Sequence, residues 1–186
     1  DMNSMIRDFE DGSYTFACWM KPIGSAGGEG FMWGQTQQGI HNGIRNGGLL
    51  HSAHWGADWN ASTVLEADQW VHAVWTYDGA IDEATIYLNG QVDGGPTAQR
   101  APNGGGTFIF GGRNNGEIAY NGHVDDIAIW REVLPEAAIE ALADGLSPIG
   151  ATQEDEDGDG LADAWEEKLV DNLDDLNGNA SGPGPG

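Results

Sequence analysis

Residues 70–90 read WVHAVWTYDGAIDEATIYLNG, and this stretch decides the fold. From Trp70 to Tyr77, apolar residues occupy both alternating faces, a pattern typical of a strand in the middle of a sheet. Thr85–Leu88 then leads into Asn89-Gly90, a pair that favours a two-residue hairpin turn because both positions tolerate positive φ. The stretch therefore predicts a buried strand followed by a hairpin.

Further short strands are predicted on both sides of this stretch. Tyr14–Met20 alternates, and Cys18 falls on its more apolar face, so we interpret the thiol as a small core group. Phe108–Phe110 ends in a glycine pair, and Val124–Trp130 alternates again. Short strands separated by glycine-rich turns, with no intervening helices, predict an all-β fold: an antiparallel two-sheet jelly-roll sandwich.

The composition excludes several classes of partner. A net charge of −23, with 30 acidic and 7 basic residues, excludes nucleic acid and disfavours an anionic membrane surface. No apolar run is long enough for membrane insertion. The single cysteine excludes an intramolecular disulfide and a zinc site built on several thiolates. The chain opens at Asp1 and ends in Gly-Pro repeats, so we expect a processed or excised piece.

The end of the sandwich is marked by a short predicted helix. Pro135 suits a first helical turn, Ile139 and Leu142 form an apolar stripe, and Gly145 suits the C-terminal cap. These features divide the chain into four segments. We predict a sandwich over residues 1–146, a linker over 147–154, a calcium-binding loop with a short helix over 155–179, and a Gly/Pro linker tail over 180–186.

The sandwich resembles the laminin G-like (concanavalin A-like) jelly-roll family. The resemblance covers about residues 11–145 and implies the fold without specifying a ligand. The chain departs from the family pattern in having a shorter N-terminal segment before the first motif. Either Met5–Phe9 supplies the expected edge strand, or another segment donates that strand. The matching motifs are Gly12–Phe16 with Trp19–Pro22, Gln69–His72 with Thr76–Gly79, Ile86–Gly90, and Gly122–Trp130 with the helix after Leu134.

Residues 155–166 read DEDGDGLADAWE and fit the D-x-D-x-D-G-x5-E calcium pattern at every specified position. Calcium takes six to eight oxygen ligands, which this loop can supply. The alternative is a solvated acidic linker. The predicted ligands are the carboxylates of Asp155, Asp157, Asp159, Asp163 and Glu166 and the carbonyl of Leu161.

No apolar helix precedes this loop, which argues against a paired sensor. The segment instead resembles the thrombospondin type 3-like or dockerin-like calcium repeats that join domains.

Two further calcium sites are predicted from less complete sequence patterns. Asp125 shares strand parity with Ile127 and Ile129, so we expect it to point inward, where a carboxylate needs a partner. The resemblance to the laminin G-like family implies that this aspartate helps to hold a structural calcium, and the alternative is a network of backbone hydrogen bonds. A second repeat is predicted at Asp174, Asp175, Asn177 and Asn179.

Catalytic patterns are weak, so the chain is predicted not to be an enzyme. The three-acid strand motif of sandwich-fold glycoside hydrolases is absent, and Glu66 with Asp68 resembles a solvated turn. His51-x-x-His54 has helical metal-ligand spacing but lies among strand and loop residues. No serine or cysteine nucleophile lies in a recognisable elbow.

A glycan site is predicted near the glycine-rich loops. Exposed indoles stack on sugar rings, and short polar side chains bond hydroxyl groups. The alternative, which stays open here, is that these tryptophans fill the space between the sheets. The candidate residues are Trp33, Trp55, Trp59, His54, Asp58 and Asn60.

Three functional hypotheses follow. The first is a non-catalytic module of a secreted or cell-surface protein, of a bacterial type, that serves adhesion or carbohydrate recognition with a calcium-rigidified junction. Its partners would be a glycan or neighbouring protein modules. The second is a structural subunit of an extracellular fibre or tandem array, joined head to tail with strand donation. A glycoside-active enzyme is the third and weakest alternative.

Overall fold

The computed structural model describes residues 12–24, 29–35, 39–102, 107–113 and 118–149. Within these residues, ten strands form two five-stranded sheets, and one helix follows the last strand. Sheet A has the order β10-β1-β6-β7-β8, and sheet B has the order β5-β4-β3-β2-β9. The elements are β1 (Tyr14–Pro22), β2 (Gly30–Gln35), β3 (His41–Arg45), β4 (Leu49–Ala53), β5 (Asp58–Val64), β6 (Val71–Asp78), β7 (Glu83–Leu88), β8 (Gln91–Ala98), β9 (Phe108–Phe110), β10 (Gly122–Trp130) and α1 (Glu136–Ala143).

The strand predicted to be central does lie in the middle of a sheet. β6 pairs antiparallel with β1 on one side and with β7 on the other, which explains why both of its faces are apolar. The hairpin after β7 is also confirmed, since Asn89 and Gly90 have φ values of 50° and 81°. The Asn89 side-chain oxygen accepts a bond of 2.9 Å from the His72 backbone N–H, which ties the turn to β6.

The core lies between the two sheets. Tyr14, Phe16, Cys18 and Met20 all point into it from β1, as the alternation predicts, and each is fully buried. Burial raises the pKa of the Cys18 thiol, which therefore stays protonated. From sheet B, Trp33 meets Trp75 of sheet A edge to face at 5.9 Å between ring centroids.

The outer face of sheet A is covered by α1. Ile139 and Leu142 are buried against Val74 and Tyr87, as the predicted apolar stripe requires. Pro135 precedes the first helical residue, and Gly145 follows the helix with a φ of 102°. This face is therefore occupied by the chain itself.

Asp125 does not point inward as predicted. Its side chain is exposed, and Ile127, on the same predicted face, is exposed as well. The reason is a shift in the β1–β10 register between Ala17 and Trp19, where Asp126 adopts a φ of 46°. A bulge of this kind reverses the alternation that a sequence pattern assumes.

Several predictions fall outside the described residues. They are the edge strand at Met5–Phe9, the calcium loop at 155–166 and the second repeat at 174–179. Within the part of the chain that the structure describes, no helix is both long and apolar enough to cross a bilayer.

Candidate functional site

The outer face of sheet B carries a group of polar side chains on β3, β4 and the edge strand β5. The turn at Asn46-Gly47-Gly48 joins β3 to β4, and all three residues have positive φ. The resulting hairpin pairs Gly43 with His51, and β5 then pairs Asn60 with His51. We call the side chains assembled on this face the β3–β5 cluster: His41, Arg45, His51, Asp58 and Asn60.

Asp58 is the centre of the cluster. Its Oδ1 atom lies 3.3 Å from His41 Nε2, 3.3 Å from His51 Nε2 and 3.0 Å from Arg45 Nη1. Its Oδ2 atom accepts a bond of 3.2 Å from the Gly56 backbone N–H. The carboxylate is therefore held from the backbone on one side and faces three nitrogen groups on the other.

Asn60 orients the imidazole of His51. The Asn60 Oδ1 atom lies 2.9 Å from His51 Nδ1 and accepts a second bond of 3.2 Å from Asn46 Nδ2. Since Oδ1 is an acceptor, His51 Nδ1 carries the proton and Nε2 presents a lone pair. That Nε2 atom is buried and has no hydrogen-bond partner, despite its contact with Asp58.

Aromatic rings frame the cluster. Phe31, from β2, is buried beside the cluster on the same face of sheet B. Its ring lies edge-on to His41 and His51, with 5.4 and 5.9 Å between ring centroids. Arg113 lies over the Phe31 ring at 5.2 Å. Trp55, which is half-buried, lies edge-on to His41 at 5.8 Å and borders the cluster.

Burial determines the charges of the cluster. It lowers the pKa of His41 and of His51, more than the nearby carboxylate raises them, so both rings are neutral at pH 7. Burial also raises the pKa of Asp58, but the attraction of His41, His51 and Arg45 outweighs it and the net pKa lies below its usual range. At neutral pH the cluster contains an ionised Asp58 and a charged Arg45.

The structure separates the predicted glycan residues into two groups. Trp55, Asp58 and Asn60 lie together at the outer face of sheet B. Trp33 and His54 are fully buried inside the sandwich, so their prediction as sugar contacts is wrong, and the space-filling alternative holds for Trp33. Trp59 points inward from β5 and packs against the core, because it alternates with Asp58 and Asn60.

The His51-x-x-His54 pair is also separated. Residues three apart on a strand lie on opposite faces, so His51 points outward and His54 points inward. The histidine that lies beside His51 is His41, with 5.7 Å between ring centroids, and the sequence pattern did not predict this pair. Counting outward from the Asn46-Gly47-Gly48 turn would have placed His41 diagonal to His51 on the same face.

The remaining polar candidates lie away from this cluster. Glu66 and Asp68 are exposed just before β6. Asp68 lies in a turn with a φ of 60°, and its backbone N–H donates to the Pro22 carbonyl. In the described part of the chain, one group of three metal-ligand residues occurs, His41 with His51 and Asp58, and Asp125 is not part of it.

A family model matches residues 3–140, about three quarters of the chain. It is the model of the laminin G type 3 family, described as the concanavalin A-like lectin/glucanases superfamily. No curated protein matches the sequence.

Solved structures share the fold at low sequence identity. A candidate carbohydrate-binding protein of Bacteroides ovatus is 21% identical with a TM-score of 0.59, over 70% of this chain and 40% of that chain. Domain 4 of AbnA, an extracellular arabinanase of Geobacillus stearothermophilus solved with arabinotriose, is 18% identical with a TM-score of 0.57, over 71% and 66%. A heptameric pentraxin of Limulus polyphemus is 16% identical with a TM-score of 0.53, over 70% and 69%.

Proposed function

The chain belongs to the concanavalin A-like lectin/glucanase superfamily, and from that premise we propose that it is a non-catalytic carbohydrate-recognition module of an extracellular protein. The fold is shared with a candidate carbohydrate-binding protein and with an arabinanase domain solved with a sugar. Those likenesses concern the fold, so the proposal depends on the chemistry of the β3–β5 cluster.

The observation that carries the proposal is the position of Trp55 beside this cluster. Sugar rings bind by stacking an apolar face on an aromatic ring while planar polar side chains bond their hydroxyl groups. Trp55 offers the ring, and Asp58, Arg45 and Asn60 offer acceptors and donors within the same patch. Asp58 and Arg45 keep 37% and 28% of their side chains exposed, so a ligand can reach them.

The acidic segment at 155–166 extends the proposal. We infer that it binds calcium and forms a stiffened junction to a neighbouring module, because its carboxylates repel one another without a cation and fit the calcium pattern at each ligand position. The sandwich would then present its sugar site at a fixed distance from that junction.

The test is retention on immobilised oligosaccharides, with arabinotriose included in the panel. Trp55→Ala should abolish retention, because it removes the stacking ring, while leaving the fold intact. The matched control is Trp70→Ala: Trp70 is 46% exposed but lies beside His123 at the edge of sheet A. Equal retention of the two variants, or no retention of the wild type on any glycan, contradicts the proposal.

A further inference from the structure

We propose that His41, His51 and Asp58 form a binding site for a divalent first-row transition-metal ion such as Zn²⁺. The three residues come from three adjacent strands of sheet B, and one ligand atom from each lies within 4.8 Å of the other two. Two imidazole nitrogens and one carboxylate oxygen form a ligand set that suits zinc, nickel, copper or iron. Calcium prefers six to eight oxygens, which this cluster does not offer.

The distances fit a tetrahedral ion. Zinc bonds imidazole nitrogen and carboxylate oxygen at about 2.0–2.1 Å, and a tetrahedron of that size separates its corners by about 3.3 Å. Asp58 Oδ1 lies 3.3 Å from both His41 Nε2 and His51 Nε2. The carboxylate oxygen is therefore at tetrahedral spacing from each imidazole nitrogen, and the two imidazoles, whose ligand atoms lie within 4.8 Å of each other, would close onto the ion.

The lone pair of His51 supports a cation at this position. His51 is 1% exposed, and its Nε2 atom is buried without a hydrogen-bond partner. Because Asn60 accepts the Nδ1 proton, this lone pair faces the negatively charged Asp58 oxygen at 3.3 Å. A cation placed between these two atoms would be attracted by the lone pair of His51 and by the negative charge of Asp58.

Neighbouring residues hold the ligands as the outer partners of metal sites do. Asn60 fixes the tautomer and the ring orientation of His51. Arg45 donates to Asp58 Oδ1 at 3.0 Å and also to Glu29 Oε1 at 2.9 Å, so it can remain a hydrogen-bond partner of a ligating carboxylate. Phe31 packs edge-on against both imidazoles and limits their rotation.

Access and coordination number define what the site can do. The ion can enter from the side of Asp58, which is 37% exposed. Three protein ligands leave a fourth tetrahedral position for water or another oxygen ligand. This inference does not rest on sugar binding, because its first readout is the metal itself.

The experiment uses the full chain, freed of metal by chelation and dialysed into excess calcium. Calcium keeps the acidic 155–166 segment occupied, so Zn²⁺ titrated by calorimetry reports on other sites. We expect one equivalent of Zn²⁺ to bind in the presence of calcium. Co²⁺ should give the intense visible absorption of a four-coordinate ion, and imidazole nitrogen resonances of His41 and His51 should shift on zinc addition.

Variants of each ligand identify the site. His41→Gln, His51→Gln and Asp58→Asn should each weaken zinc binding at least about 10-fold, the smallest loss expected for a ligand. The matched control is His123→Gln, because His123 is an exposed histidine outside the cluster. If His51→Gln does not fold, Asp58→Asn still decides, since Asp58 is 37% exposed and the amide keeps the size and shape of the carboxylate.

Two outcomes overturn the proposal. One is no zinc binding by the folded wild-type chain in calcium. The other is binding that is as strong in Asp58→Asn and His41→Gln as in the wild type, since the ion would then bind elsewhere. Sugar retention is measured with and without zinc as a separate arm, and its failure would bear only on the proposed carbohydrate function.

Discussion

Tyr14 and His54, forty positions apart, are joined across the two sheets by a contact of 2.6 Å between Tyr14 Oη and His54 Nε2. His54 Nδ1 lies 2.6 Å from the Arg100 backbone carbonyl, which can only accept. Nδ1 is therefore the donor, and Nε2 accepts from the tyrosine hydroxyl. The resulting chain of two hydrogen bonds ties β1 to the loop after β8 through the middle of the sandwich.

Removal of the hydroxyl at position 14 tests this tie. Tyr14→Phe should lower the free energy of unfolding by about 1–3 kcal/mol, because it leaves His54 Nε2 buried without a donor. Urea unfolding measures the loss. Tyr120→Phe is the control, since Tyr120 is only partly buried and its hydroxyl makes a longer bond, of 3.4 Å, to the His123 carbonyl. It should change stability by less than about 0.5 kcal/mol. Equal losses in both variants would contradict the inferred bond directions.

Two tryptophans of the predicted glycan site should differ in their effect on stability. Trp33→Ala should cost about 3–5 kcal/mol, because it opens a cavity beside Phe16 and Trp75. Trp55→Ala should cost much less, because the Trp55 side chain is only half-buried. Thermal unfolding of both variants checks this difference, and a Trp55→Ala loss as large as that of Trp33→Ala would place Trp55 in the structural core.

The stability of the fold should depend on pH through His72. Burial lowers the pKa of His72 to about 4 in the folded protein, against 6.5 for a solvated ring. Between these values the unfolded chain binds more protons. Stability is therefore complete above pH 6.5 and falls as pH drops towards 4, by about 1.4 kcal/mol per pH unit for this group.

His72→Phe isolates this contribution. The ring contact with Trp19 at 5.3 Å is kept, and no titrating group remains at the position. Urea unfolding at several pH values between 4.5 and 7.5 should give a pH slope shallower by about one proton than that of the wild type. Identical slopes would show that His72 is not the source.

The calcium loop predicted at 155–166 has a matched pair of glutamates. Glu166→Gln should weaken calcium binding strongly, because Glu166 is the twelfth loop residue and is expected to supply two oxygens. Glu156→Gln removes the same charge from a non-ligating loop position and serves as the control. Calcium titration by calorimetry measures both variants. Equal effects would mean that the proposed loop register is wrong.

Features encoded by neighbouring residues could be predicted from the sequence. The Asn89-Gly90 turn, the two apolar faces of β6 and the helix between Pro135 and Gly145 each depend on residues within one element. The same holds for Cys18, whose burial follows from the alternation of β1. Local pattern and local geometry agree at these positions, so the fold class followed from them.

Features that depend on register were not predictable in the same way. A shift in the β2–β3 pairing between Phe31 and Trp33 lets Phe31 face the cluster while both Met32 and Trp33 enter the core. A similar shift turned Asp125 outward. The cluster itself depends on pairing across β3, β4 and β5, so its members are distant in sequence. Only the Asn46-Gly47-Gly48 turn offered a local signal for it.

The alternation of β3 and β4 restricts how this surface can change over evolution. Outward His41 and His51 alternate one by one with inward Asn42 and Leu50, so a single inserted or deleted residue in either strand would exchange outward-facing and core-facing side chains. Substitution is thus the tolerated route by which the outward side chains of these strands can change. Changes of length are better accommodated at Gly47, in the turn between these two strands, because this residue is exposed and a Cβ atom added there would meet no other atom within 4 Å.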